Sequence, residues 1–157
     1  MNPIYSINTF IGRRRPIVPE SKAKSLAIAQ ASLEKKANDV LVLHVAPLTS
    51  IADYLVLCSA DSDRQVRAVA DHIDGTLAAH KIRPLSLEGL STSQWVVMDF
   101  ADVIVHIFRT DLRKHYALEK LWGDAKRLRI PAERVPLVSE PIPTTKKRSV
   151  RRAVKGP

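Results

Sequence analysis

The chain has 157 residues, 45% of them hydrophobic and 26% charged, the balance of one globular domain with tails. A single cysteine, Cys58, excludes an internal disulfide framework and a multi-cysteine zinc site, and no apolar run approaches the roughly 20 residues that span a bilayer. The net charge of +9 is uneven: residues 1–39 carry seven Lys/Arg against three Asp/Glu, residues 40–125 eight against eleven, and residues 126–157 ten against two.

Residues 1–21 read as a flexible basic arm, because Gly12, Pro16 and Pro19 break any period. Arg13, Arg14 and Arg15 are followed by no apolar stretch of the secretory kind, and the acid-free start is short for an organelle transit peptide, so the cytoplasm is the expected compartment. Ser21 is placed to cap a helix running to about residue 37, striped by Leu26, Ala29 and Leu33. Residues 40–45 (VLVLHV) and 54–59 (YLVLCS) read as buried strands on either side of a turn at 47–51. The period then changes. Between Ser62 and His80, Val66, Val69, Ala70, Ile73 and Leu77 recur at helical spacing, with Gly75 inside at a cost of up to ~1 kcal/mol.

Residues 85–87 form a short strand, and residues 95–100 and 103–108 form two more around a tight turn at Ala101 and Asp102. Thr110 is placed to cap a last helix through Leu118, with a further helical turn over residues 121–128. Pro131, Pro136, Pro141 and Pro143 break any further element, so residues 129–157 read as a disordered basic tail. The expected fold is one layered α/β (α+β) domain over residues 22–128, a mixed sheet of about five strands flanked by helices.

Three groups of residues invite chemistry. Asp61 and Asp63 follow a strand directly and resemble the carboxylate pair of a metal-dependent nucleotidyltransferase, with Asp99 or Asp102 as a third acid. No glycine cradle precedes them, and aspartates at that position commonly cap the next helix, which is the reading adopted. The five histidines show no ligand spacing with one another or with Cys58, and no GxGxxG or GxxxxGK loop occurs, so no catalytic residue, metal or cofactor is expected. Trp95, Tyr116, Leu121 and Trp122 gather large amphipathic side chains in the C-terminal half, where such residues serve either core or interface. The tail cluster Lys146, Lys147, Arg148, Arg151 and Arg152 can meet phosphates, as a general RNA-binding module would, or can merely solubilise.

Four blocks then stand together: residues 53–59 (DYLVLCS), 62–73 (SDRQVRAVADHI), 95–100 with 102–108 (WVVMDF, DVIVHIF) and 116–125 (YALEKLWGDA). In order and spacing they resemble the ribosomal silencing factor family, RsfS or Iojap, over about residues 22–125. The resemblance implies a nucleotidyltransferase-like fold without catalysis. It further implies a partner, the interface-side protein of the large ribosomal subunit that is fourteenth in the large-subunit naming. Binding there, the resemblance implies, would block joining of the small subunit and repress translation. It suggests Trp95, Tyr116, Lys120, Leu121 and Trp122 as contact residues, a monomer or homodimer, no membrane, and possible tail contact with ribosomal RNA. Ala60 and Ala101 stand where the family usually has glycine. Alanine resists positive φ, so a different turn type is expected between Phe100 and Asp102.

Overall fold

A computed structural model describes residues 20–137. The elements, in order, are α1 (Glu20–Glu34), β1 (Asn38–His44), β2 (Tyr54–Ala60), α2 (Asp63–Ala78), β3 (Ser86–Glu88), β4 (Trp95–Asp99), β5 (Val103–Arg109), α3 (Thr110–Tyr116), α4 (Leu118–Leu121) and β6 (Lys126–Leu128). Six strands form one sheet in the order β3-β4-β5-β2-β1-β6. The central pair β2–β5 is parallel and every other pairing antiparallel, so the mixed sheet is as expected, with one strand more. The extra strand is β6. It replaces the end of the helical turn expected over residues 121–128, because the backbone of 126–128 pairs with the edge of β1, Leu128 opposite Val42.

Alternation along each strand sorts the side chains onto two faces. Tyr54, Val56, Cys58, Val96, Met98, Val103, Val105 and Ile107 point to the layer of α1 and α2, where they meet Ile28, Val66, Val69, Ile73 and Leu77 in the larger core. Leu43, Leu55, Leu57 and Phe108 point the other way, against Leu112 of α3, Leu118 of α4 and Trp122. Among the described residues, two long helices therefore cover one face and two short ones the other.

Helix α1 is buried on most sides because its repeated Ala and Ser let neighbours approach closely; Leu33, expected in its apolar stripe, is 48% exposed. It ends earlier than expected, at a Schellman turn. Lys36 takes φ 60°, Ala37 N–H donates to Ser32 O at 3.0 Å, and Lys36 N–H to Leu33 O at 2.9 Å. Helix α2 closes the same way around Lys81, also at φ 60°. Residues 129–137 continue the packed body. Gln30 Nε2 donates to Pro131 O and Glu133 O at 2.7 Å each, its Oε1 accepts from Val135 N–H at 3.0 Å, and Ile130, Val135 and Leu137 pack against the larger core.

The β4–β5 connection corrects the expectation that alanine would keep its centre out of positive φ. Ala101 adopts φ 73° despite its Cβ, Asp102 N–H donates to Phe100 O at 3.0 Å, and Asp99 Oδ1 accepts from Ala101 N–H at 2.7 Å. That i→i+2 bond with positive φ is a γ-turn, a strained conformation for alanine. Ala60 shows no such strain: it is a fully buried strand residue that pairs with Arg109.

Candidate functional site

The thinly covered face carries an aromatic group. The β4–β5 register sets Trp95 opposite Phe108 and Val97 opposite His106, all on one side of the hairpin. Trp95 stacks on Phe108 at 4.9 Å between ring centroids and meets Tyr116 at a tilt at 4.7 Å, and Tyr116 lies 6.3 Å from Phe108. Phe108 is fully buried and forms the floor, Trp95 is half-buried, and Tyr116 is 48% exposed at the rim. Truncating Phe108 to alanine would remove about 3–5 kcal/mol of stability, so its side chain belongs to the fold before any partner.

Trp95 Nε1 donates to His106 Nδ1 at 3.1 Å. Burial pulls the His106 pKa down to about 4, so the ring is neutral at physiological pH. Beyond Tyr116 the chain reverses at Ala117, in the left-handed region at φ 44°, and enters α4. This short helix leaves Lys120 and Leu121 exposed, Leu121 at 75%, and sends Trp122 half-buried against the second core cluster. Of the five residues expected as partner contacts, Trp95 and Tyr116 touch each other, Lys120 and Leu121 follow on the next helix, and Trp122 serves chiefly to pack that helix down.

His106 and Phe108 are members of this group that residue type alone does not single out. Their signal is present in the sequence: two residues apart on a strand, they share a face, and a hairpin counted back from Asp102 aligns that face with Trp95.

Next to α4 lies a depression of about 540 Å³ bordered by Asp39, Arg113, Lys114, Glu119, Lys120 and Arg127. The buried Arg113 donates from Nη1 to Asp39 O at 2.8 Å and from Nε to Glu119 Oε1 at 3.3 Å, which ties α3 and α4 to the β1 bulge. Glu119 Oε2 is buried without a hydrogen-bond partner among the described residues.

The carboxylates after β2 are engaged elsewhere, which corrects the expectation that both cap α2. Ser62 is the cap, its side chain accepting from Gln65 N–H at 3.2 Å, and Gln65 Oε1 in turn accepts from Asp61 N–H at 3.2 Å. Asp61 Oδ1 accepts from Thr110 Oγ1 at 2.9 Å and from Asn38 Nδ2 at 3.3 Å. Thr110 therefore does not cap α3 but bonds across to the end of β2, where its hydroxyl also reaches Ala60 O.

Arg109 holds Asp63 at 3.0 Å and grips both oxygens of Asp111, at 2.7 and 2.8 Å. The guanidinium bonds pull the Asp111 pKa down to about 2. Asp99 and Asp102 sit at the opposite end of β5, across a seven-residue strand, roughly 20 Å from this cluster. The third acid of a two-metal site is thus at the wrong edge of the sheet, and among the described residues no group of three His, Cys, Asp or Glu side chains could hold a metal. Cys58 is fully buried, which pushes its thiol up to about 12 and leaves no thiolate for chemistry. Lys146, Lys147, Arg148, Arg151 and Arg152 lie outside the described residues, among which no helix is long and apolar enough to cross a membrane.

The family model described as ribosomal silencing factor during starvation matches residues 18–155. A ribosomal silencing factor RsfS from Bacillus subtilis is 42% identical over 101 residues, which cover 64% of this chain and 86% of that one. A crystal structure of a Chromobacterium violaceum protein superposes with a TM-score of 0.63 at 28% identity, covering 76% of this chain and 98% of the other. One from Bacillus halodurans does so at 0.59 and 32%, covering 66% and 93%. With the four sequence blocks on these strands and helices and the family model spanning nearly the whole chain, the protein belongs to the ribosomal silencing factor family, RsfS.

Proposed function

We propose that this protein is a non-enzymatic ribosomal silencing factor that docks on the large ribosomal subunit and sterically blocks association with the small one, repressing translation. The observation that carries the reading is the aromatic group Trp95–Tyr116, left partly open on the sheet face that, among the described residues, only α3 and α4 cover, with Leu121 and Lys120 exposed beside it. Tryptophan and tyrosine supply large apolar area with little rotamer entropy to lose, which makes them interface anchors. The proposed partner is the interface-side protein of the large subunit, fourteenth in its naming. A standard contact of roughly 800 Å² per partner suffices to cover a bridge site. No chemistry is needed. In support, the carboxylates that a nucleotidyltransferase would use are already engaged, Asp63 in an ion pair with Arg109 and Asp61 in hydrogen bonds from Thr110 and Asn38. Lys146, Lys147, Arg148, Arg151 and Arg152 would add phosphate contacts to nearby ribosomal RNA.

Sedimentation with separated subunits tests the reading. The protein should travel with free large subunits, not small ones, and excess protein should reduce formation of joined ribosomes. Equal association with small subunits, or undisturbed joining, overturns it.

A further inference from the structure

The docking face holds a polar group that the aromatic reading leaves unassigned. An indole nitrogen can only donate, so the 3.1 Å contact makes His106 Nδ1 the acceptor and places the single proton of the neutral ring on Nε2. Nε2 has no hydrogen-bond partner among the described residues. Nor is it among their sealed, unpartnered side-chain atoms, of which Glu119 Oε2 is the one example, so on this half-buried ring it is not fully closed off from the surface. Its immediate strand neighbours are apolar: Val97 lies opposite on β4 and Leu57 alongside on β2.

We propose that His106 is the positioning and specificity residue of the docking face: Nδ1 fixes Trp95 so that it presents its ring surface, and Nε2–H is offered to a carbonyl or carboxylate oxygen of the partner protein. This rests on the docking reading above and adds the chemistry that a fitting partner must bring. The indole N–H is already satisfied, so Trp95 contributes packing and no polar contact of its own. A partner that covers this patch without an acceptor strands the imidazole N–H in an apolar contact, a penalty that rejects surfaces matched in shape alone.

Two near-isosteric variants separate the roles, because asparagine retains an acceptor near the position of Nδ1 and glutamine retains a donor near that of Nε2. The chain has two tryptophans, so the Trp95 indole resonance is readily assigned with Trp122→Phe as reference. His106→Asn should keep the hydrogen-bonded Trp95 indole shift yet bind large subunits about tenfold more weakly, the scale of one hydrogen bond. His106→Gln should release the indole, moving its resonance, while losing less affinity than His106→Phe, which lacks both functions. Circular dichroism confirms folding of each. Unchanged affinity in His106→Asn removes the Nε2 contact, and an unmoved indole resonance in His106→Phe removes the positioning role. Trp95→Ala and Tyr116→Ala serve as the control. If they also bind as the parent does, the docking reading itself has failed; if they weaken binding while the His106 variants do not, only this inference falls.

Discussion

Lys24 Nζ lies 2.7 Å from Asp102 Oδ1, tying the first helix to the turn between β4 and β5. The main-chain oxygen of Asp102 also accepts from Asp53 N–H at 2.8 Å and Tyr54 N–H at 3.2 Å, so one residue joins α1, the start of β2 and the hairpin. The two partners are unequally buried, with side chains 10% and 32% exposed for Lys24 and Asp102. Removing the carboxylate strands an ammonium that water barely reaches, whereas removing the lysine leaves a carboxylate that water can hydrate. Asp102→Ala should therefore cost about 3 kcal/mol and Lys24→Met about 1 kcal/mol. Urea titrations of both decide it; equal losses would show that burial does not set the asymmetry.

Left-handed backbone is held here by side chains unsuited to it. Ala101 at φ 73° and Lys81 at φ 60° should each gain about 0.5–1 kcal/mol on replacement by glycine, since relief of strain outweighs the added freedom of the unfolded chain. The converse holds at Gly89. Its φ is 91°, and a Cβ there would lie 2.0 Å from Trp95 O, so Gly89→Ala must displace the start of β4. Thermal melts should show two gains and one loss, with the indole signal of Trp95 disturbed only in the last.

Proton linkage at His106 has a definite sign. The folded ring has a pKa of about 4 against an ordinary value of 6.5, so between these values the unfolded chain binds the extra proton and the folded one does not. The associated stability is fully present above pH 6.5, declines as pH falls towards 4, and changes no further below that. Asp111 acts in a lower window, its contribution lost as pH falls from 3.8 through about 2. Comparing urea midpoints of the parent and His106→Asn from neutral pH to about pH 4 isolates the imidazole, because the remaining histidines are common to both. Parallel curves would refute the shifted pKa.

The salt dependence of subunit binding should reside in the C-terminal segment. Truncation has to fall after residue 137, because Gln30 anchors residues 131–135 to α1. Residues 138–157 contain six Lys/Arg and one acid, Glu140. Deleting them should weaken binding at low salt and leave preference for the large subunit intact. The logarithmic salt slope should flatten by about 0.7–0.9 for each phosphate that the tail no longer neutralises. Tyr116→Ala should weaken binding at every salt concentration. A truncated chain with the parent slope would assign the tail no phosphate contacts.

The repetitive parts of the fold are legible in the sequence and the contextual parts are not. Val66, Val69, Ala70, Ile73 and Leu77 announce α2 because five residues on one stripe outweigh local exceptions. Lys126–Leu128 carries no periodicity in three residues, and its identity as a strand comes from the free edge of β1. The anchoring of residues 131–135 depends on Gln30, more than a hundred positions earlier, which no local pattern reveals. Among the residues proposed for docking, Trp95 and Tyr116 are found by type, whereas His106 joins them only through hairpin register. The carboxylates after β2 mislead because capping preference cannot distinguish Ser62 from Asp61 and Asp63 until Thr110, Asn38 and Arg109 are seen to claim the acids.

The single parallel pairing at the centre of the sheet also sets the order of assembly. Tyr54–Ala60 has its antiparallel neighbour β1 just behind it, and β4 with β5 can close as a local hairpin, but the two halves become one body only when Tyr54 meets Val103 and Ala60 meets Arg109. During synthesis, the most apolar strand of the protein is therefore displayed with one edge unsatisfied until β5 has left the ribosome. Long-range closure of this kind makes folding slow relative to helix formation. The nascent chain consequently passes through an interval of aggregation risk that ends only with the docking of the 103–109 segment.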